Sequence, residues 1–172
     1  MQQAVPTCES PSEEDLIRIR AVADYQFGPR AGEAMFPDNI GVVKSRKTKK
    51  IKAIFLGGKL LATLKPNDGF LALSIQGASL LVQALPIPRY RVAVIDDVNE
   101  YIRKGRNLFA KHVLRADPEI RPGEEVIITD SKDEVIAVGR AILNGLEMKR
   151  FKIGLAVKVR RGEDEAQDEE GD

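Results

Sequence analysis

The chain has 172 residues, of which 43% are apolar and 31% charged, with a formal net charge of +1. Such a chain can build one domain, or two small ones, around a real core, which excludes collagen-like, mucin-like and fully disordered proteins. It contains neither a bilayer-spanning apolar stretch nor a recognisable signal peptide, so we expect a cytoplasmic protein with no membrane partner.

The first half of the chain predicts helices around a small antiparallel meander. Ser12 and Asp15 form a capping box, so a helix should begin here and end at Gly28-Pro29. A short helical turn is expected between Ala31 and Phe36. Runs of β-branched and bulky apolar residues between turn formers predict four strands, over residues 40–44, 51–56, 59–64 and 70–74. A compact apolar helix is predicted over residues 77–85.

The second half predicts a small closed or nearly closed barrel with one helix beside it. Asp96-Asp97 caps this helix, which runs to Arg103-Lys104 and ends at Gly105. An irregular or helical piece follows Asn144-Gly145. The strands are predicted over residues 91–95, 108–113, 126–129, 135–143 and 153–159. One helix among five or six short strands is typical of such a barrel.

The segment Pro86-Ile87-Pro88 stops the third helix and marks a domain boundary. We therefore predict four parts of the chain. These are a flexible N-terminal tail over residues 1–14, an α/β domain over 15–88, a barrel domain over 89–162 and an acidic disordered tail over 163–172.

The charge of the chain is distributed very unequally. Residues 163–172 hold seven acids and residues 1–15 hold four, and neither segment contains a base. Removing these eleven acids leaves 15 acids against 27 Lys and Arg, so residues 16–162 carry a formal charge of +12. A basic folded body favours a polyanionic partner, of which nucleic acid is the commonest. The alternative is solvated surface charge that the acidic tails balance.

Cys8 and His112 are the single cysteine and the single histidine of the chain. They can form neither a disulfide nor a Cys/His zinc site within one chain. We place Cys8 in a tail and His112 in a strand, far apart in sequence, and expect neither to act in catalysis. Since dinucleotide-binding and phosphate-binding loops are also missing, we predict no cofactor, no metal and no self-sufficient enzyme.

A run of cations without any acid is the first candidate RNA-binding segment. It contains Lys44, Arg46, Lys47, Lys49, Lys50 and Lys52. Cations so close together repel one another, and phosphate contacts with release of counterions would compensate that repulsion. The alternative is a solvated strand edge on which lysines prevent aggregation.

The end of the barrel helix and the strand after it form the second candidate. Gly105 lets the backbone approach a sugar-phosphate chain, and Asn107 can bond a base edge or a phosphate. Phe109 is assigned to the core rather than to a stacking platform, and Tyr25 and Gln26 are assigned to a helix end that caps the core. The candidate residues are Arg103, Lys104, Gly105, Arg106, Asn107 and Lys111, which Arg160 and Arg161 could extend.

The second half of the chain resembles a PUA domain, a small RNA-binding pseudobarrel attached to pseudouridine synthases and archaeosine tRNA-guanine transglycosylases. The segments that carry the resemblance are 91–94, 102–113, 117–126, 137–141 and 154–160. The amino-acid sequence of these segments most resembles the PUA domain of the archaeal transglycosylase. In PUA domains the helix and the following strand line the RNA groove, so the resemblance implies that the second candidate faces the acceptor stem and 3′ end of a tRNA-like RNA.

The first half resembles the small domain that precedes PUA in the same enzyme. The segments in question are 20–28, 36–37, 45–48 and 62–69. The fold class that follows is α+β, a small α/β pre-PUA domain with an antiparallel meander followed by a PUA β-pseudobarrel. The catalytic barrel of the family, with its aspartate nucleophile and cysteine-rich zinc site, has no counterpart here, so no catalytic role is carried over.

The main hypothesis is a non-catalytic RNA-binding protein that recognises tRNA or a similar structured RNA through a basic hairpin and a PUA groove. A narrower version makes the chain the RNA-holding subunit of a split transglycosylase or another tRNA-modifying enzyme, with a separate catalytic subunit as its partner. The rival hypothesis is a ribosome-associated or ribosome-assembly factor that binds rRNA. We favour tRNA over rRNA as the partner.

Overall fold

The structure is a computed structural model that describes residues 7–165. Two compact units divide between Ala84 and Leu85, and each unit has a sheet of its own. Among the described residues, no helix combines the length and the apolar character that a membrane crossing needs.

Three helices belong to the first unit, and the first of them starts at a capping box. The Ser12 hydroxyl accepts a hydrogen bond from the Asp15 amide at 3.1 Å, and the Asp15 carboxylate accepts one from the Ser12 amide at 3.2 Å. This exchange satisfies two amides at the helix start that have no partner within the helix. The helices are α1 (Glu13–Phe27), α2 (Ala31–Met35) and α3 (Ile75–Ala84).

The sheet of the first unit is the antiparallel meander that the sequence predicts. Its strands, paired in chain order, are β1 (Gly41–Lys44), β2 (Ile51–Leu56), β3 (Lys59–Leu64) and β4 (Leu71–Leu73). Val42 opposes Ile54, Ile54 opposes Ala62, and Ala62 opposes Leu73. All four side chains are buried. This register therefore places one apolar row across the sheet toward the core.

Part of the predicted N-terminal tail is ordered. The backbone of Glu9 exchanges two hydrogen bonds with Val42, at 2.9 and 2.8 Å, outside the main ladder. Ser12 is fixed by the helix cap. The remainder of that prediction, residues 1–6, lies outside the described residues.

The second unit is a six-stranded, nearly closed barrel. The strand order is β6-β10-β9-β8-β5-β7, in which β5 and β8 are parallel and the other pairs antiparallel. The short helices α4 (Asn99–Arg103) and α5 (Gly145–Arg150) lie between strands, and a 3-10 turn over Asp96–Val98 precedes α4. The strands are β5 (Arg91–Val94), β6 (Leu108–Phe109), β7 (Val113–Ala116), β8 (Glu125–Thr129), β9 (Val135–Ala141) and β10 (Leu155–Gly162).

The strand predicted over residues 108–113 is divided into two, which corrects that expectation. A 3-10 turn over Ala110–His112 separates β6 from β7, so His112 does not lie in a strand. The Ala110 amide bonds to the Gly154 carbonyl at 2.9 Å, whereas the His112 carbonyl accepts from the Ile95 amide at 3.0 Å. The chain therefore leaves the β10 edge and joins β5 within three residues, and this change of partner requires the turn.

The end of the barrel also differs from the expectation. Strand β10 continues to Gly162 rather than ending at Val159. Residues 163–165 then form a helical turn, although the sequence predicts disorder from residue 163 onward. The rest of the predicted acidic tail, residues 166–172, lies outside the described residues.

Candidate nucleic-acid interface

The loop between β1 and β2, residues 45–50, is a tight turn that displays cations. Its ends are joined because the Ser45 amide bonds to the Lys50 carbonyl and the Lys49 amide bonds to the Ser45 carbonyl, both at 2.8 Å. Lys47, Lys49 and Lys50 are exposed. Within residues 7–165, none of these three side chains lies within ion-pair distance of a carboxylate. We call this group the turn lysines.

The other three residues of the first candidate segment differ in exposure and in ion pairing. Arg46 and Lys52 are exposed. The Lys44 ammonium lies 2.6 Å from an Asp15 carboxylate oxygen and 3.4 Å from a Glu9 oxygen. Lys44 therefore ties β1 to the start of α1, and its charge is compensated within the unit.

The Lys44–Asp15 contact shifts the pKa of both side chains. The hydrogen bond from Lys44 lowers the pKa of Asp15 below its ordinary 3.8. The hydrogen bond to Asp15 raises the pKa of Lys44 above its ordinary 10.5. Each shift favours the charged form, so the folded state prefers the ion pair.

We expect Lys44→Met to lower the free energy of unfolding by an amount that depends on pH. The difference from the wild type should be largest between the two ordinary pKa values, 3.8 and 10.5. It should shrink below that window as Asp15 is protonated through its lowered pKa, and above it as Lys44 deprotonates through its raised pKa. Urea unfolding of both proteins across pH tests this, and a difference independent of pH would contradict it.

A glycine turn ends α4 and forms the second candidate surface. The Arg106 amide bonds to the Tyr101 carbonyl at 3.1 Å and the Gly105 amide to the Ile102 carbonyl at 2.9 Å. This is a Schellman motif, which needs a residue with positive φ, and Gly105 has φ of 80°. Lys104 and Arg106 flank it and are exposed. In the described part of the chain, neither side chain has an ion-pair partner.

Two other predicted residues at this turn have their side chains bound to partners within the same unit. The Arg103 guanidinium lies 3.8 Å from Asp130 and also pairs with Glu163. The Asn107 side-chain oxygen accepts a hydrogen bond from the Val159 amide at 3.0 Å, which joins the start of β6 to β10. The Asn107 oxygen, which the sequence offered as part of an RNA contact, therefore fixes the edge of the barrel.

Phe109 corrects an expectation from the sequence, which assigned it to the core. Its side chain is 48% exposed, whereas Leu108 and Ala110 on either side are buried. Alternation along β6 therefore points the ring outward. Lys111, two residues further on, is also exposed. Phe109 thus adds an exposed aromatic ring to the segment that contains the predicted cations.

The two arginines predicted to extend this surface lie on β10. Arg160 pairs with Glu125 on β8, reaching across β9 with Nη1 2.9 Å from Oε2. The Glu125 side chain is 1% exposed. Arg161 is half-buried and also has contacts within the unit. Arg160 is therefore the partner of a buried carboxylate.

An exposed aromatic pair in the first unit is a feature that the sequence did not reveal. Tyr25 is 81% exposed and stacks parallel to Phe70, with ring centroids 6.0 Å apart. This corrects the expectation that Tyr25 caps the core. Gln26 does hold the structure together, because its side-chain amide exchanges two hydrogen bonds with the backbone of Leu71, at 2.9 and 2.8 Å.

The described residues offer no group of three or more His, Cys, Asp and Glu side chains that could hold a metal ion. Cys8 is exposed and its thiol is free.

The comparisons with known proteins assign each half of the chain to a domain family. Residues 17–88 match the family model of the patch-forming domain C2 of tRNA-guanine transglycosylase. Residues 90–162 match the family model of the PUA domain.

Curated relatives carry the two domains in the same order. The tRNA-guanine(15) transglycosylase of Thermococcus kodakarensis is 48% identical over 157 residues, which cover 91% of this chain and 27% of that protein. The same-named protein of Pyrococcus furiosus is 42% identical over 171 residues, covering 93% of this chain and 29% of that protein. The chain thus spans about a quarter of the length of the curated relatives it matches.

Solved structures share the fold over most of the chain. A hypothetical protein from Pyrococcus horikoshii superposes with a TM-score of 0.72 at 22% identity, covering 91% of this chain and 94% of that one. A PUA domain protein from Thermoplasma acidophilum gives a TM-score of 0.67 at 22% identity, covering 91% and 93%. At these identities the similarity concerns the fold alone. The family matches thus identify residues 17–88 as a patch-forming domain C2 of the tRNA-guanine transglycosylase type, followed by a PUA domain over residues 90–162.

Proposed function

We propose that this chain is a non-catalytic RNA-binding protein that recognises tRNA or a similar structured RNA. The observation that carries the proposal is the pair of exposed cation groups, one on each unit, whose charges have no ion-pair partner in residues 7–165. Exposed lysine and arginine side chains are what phosphate oxygens bind, and each such contact releases counterions. A protein with this role would act in the cytoplasm.

The PUA surface combines three features suited to RNA. Lys104 and Arg106 supply charge, Gly105 places no side chain between them, and Phe109 and Lys111 add an exposed ring and an exposed cation. With aromatic residues at only 5% of the chain, extended stacking along a single strand is a poor fit. Recognition of a folded RNA by shape and phosphate contacts suits these residues better.

The relatives favour tRNA and suggest a place for the chain in tRNA modification. They are named tRNA-guanine(15) transglycosylases, and the chain corresponds to about a quarter of their length. We propose that it holds the RNA while a separate catalytic subunit modifies it. Co-purification with such a subunit would support this version, and a monomer at native abundance would count against it.

The rival is a ribosome-associated factor, since the same cations would bind rRNA. Binding of the purified chain to tRNA, to tRNA without its 3′ CCA and to rRNA fragments across a salt series separates the two. We expect salt-sensitive tRNA binding that weakens when CCA is removed. Equal or better rRNA binding that is indifferent to CCA would instead favour the ribosome.

The Lys104→Glu/Arg106→Glu variant tests the PUA surface directly. We expect it to lower tRNA affinity by about tenfold or more, because two phosphate contacts become two repulsions. Arg121→Glu/Arg150→Glu is the matched control, since both residues are exposed on the same unit and lie outside the glycine turn over residues 103–107. Equal losses in the two variants would mean that net charge, rather than this surface, determines binding.

A further inference from the structure

The acidic residues that follow β10 fold back onto the glycine turn of the PUA domain. The Glu163 carboxylate pairs with the Arg103 guanidinium at the end of α4. The Glu165 carboxylate accepts a hydrogen bond from the Gly162 amide at 2.8 Å, which closes the helical turn over residues 163–165. We call residues 163–165 the acidic turn.

The acidic turn contacts the backbone that the proposed RNA site needs. The Glu165 carboxylate lies 2.5 to 2.6 Å from the point where a Cβ atom on Gly105 would stand. A Cβ atom on Gly162 would collide with the backbone of Arg103 and Gly105. The chain therefore packs directly on the glycine turn, and a carboxylate covers the approach that Gly105 would otherwise leave open.

A carboxylate at the glycine turn competes with an RNA phosphate for the same hydrogen-bond donors. Both anions accept hydrogen bonds from guanidinium groups and backbone amides with similar geometry. Glu163 already occupies Arg103, which is flanked in sequence by Lys104. The sequence continues with Asp168, Glu169, Glu170 and Asp172, so the negative charge does not end at the acidic turn.

We propose that the acidic turn is an autoinhibitory element that occupies the PUA surface and that RNA must displace. The inference rests on the proposed function, because it concerns the regulation of the same surface. Displacement sets a threshold: weakly bound RNAs cannot compete with the intramolecular carboxylates, whereas an RNA with additional contacts can. The affinity for every RNA is lowered by the same factor, so at a given RNA concentration the RNAs with fewer contacts are the ones left unbound.

The test uses the full chain with the two carboxylates neutralised. Glu163→Gln/Glu165→Gln should bind tRNA about five- to tenfold more tightly than the wild type, since two partly exposed contacts no longer compete. Asp168→Asn/Glu169→Gln is the matched control, because it removes the same charge from the same end of the chain. We expect the control to change affinity by less than about twofold.

Hydrogen exchange of the wild-type chain gives a second measurement that does not depend on any variant folding correctly. Displacement predicts that tRNA speeds amide exchange in residues 162–165 while it slows exchange at residues 103–107. A turn with a merely structural role would be slowed, or left unchanged, in both segments.

The outcomes separate the two proposals. If the wild type binds tRNA and the glutamine variant binds no more tightly than the control, autoinhibition is wrong and RNA binding stands. If the glutamine variant alone binds, both proposals are supported. If none of the three proteins binds RNA, the proposed function fails and the inference fails with it.

Discussion

The Lys47→Glu/Lys49→Glu/Lys50→Glu variant is expected to bind tRNA about 100-fold more weakly than the wild type at low salt. Three phosphate contacts are lost, and three carboxylates then repel the RNA. The slope of log affinity against log salt should become shallower by about 2 to 3, one release of counterions for each lost contact. Filter binding or fluorescence anisotropy across a salt series measures both quantities.

The fold of the turn should survive this substitution. All three side chains are exposed, and the turn is closed by backbone hydrogen bonds between Ser45 and residues 49 and 50. Arg121→Glu/Lys149→Glu/Arg150→Glu is the matched control, with the same change of net charge at three exposed positions of the other unit. If the control loses as much affinity as the turn variant, the turn lysines bind no RNA of their own.

Local patterns in the sequence predict most of the fold. The capping box at Ser12, the turn residues of the meander and Gly105 each act over a few residues, so their structural effect is readable in the sequence itself. The antiparallel meander and the barrel that follows it are confirmed by the structure. The resemblance to the two domains is confirmed by the family matches.

The division of β6 from β7 could not be foreseen in this way. Residues 108–113 are predicted as one strand, and nothing within this segment shows that its two ends pair with different strands. The turn exists because Ala110 bonds to the β10 side and His112 to the β5 side. The outward direction of Phe109 depends on the same register, since alternation alone does not say which side is the core.

The ion pairs of the predicted site residues could not be foreseen either, because their partners are distant in sequence. A run of cations in the sequence does not reveal that Lys44 forms an ion pair with Asp15 in the first turn of α1. Nor does it reveal that Arg160 faces Glu125 across β9, because 35 residues separate the two in sequence. What sequence does predict is the exposed turn, whose cations are displayed by a local backbone arrangement. That these cations bind RNA stays a prediction.

Arg160→Ala is expected to lower the free energy of unfolding by about 2 to 3 kcal/mol, because it leaves a buried carboxylate without its ion pair. The Glu125 side chain is 1% exposed and sits on β8, in the middle of the barrel sheet. For a unit of this size, such a loss corresponds to a fall in melting temperature of about 10 to 20 °C. Thermal and urea unfolding of the full chain measure it.

A second substitution distinguishes the buried charge from the lost side chain. Glu125→Gln in the Arg160→Ala background removes the uncompensated charge, so it should restore part of the stability. The folded Arg160→Ala protein should retain most of its tRNA affinity, because the guanidinium faces Glu125. The opposite result would be an Arg160→Ala protein that is as stable as the wild type but no longer binds tRNA. Arg160 would then contact the RNA, and its ion pair with Glu125 would contribute little to the stability of the barrel.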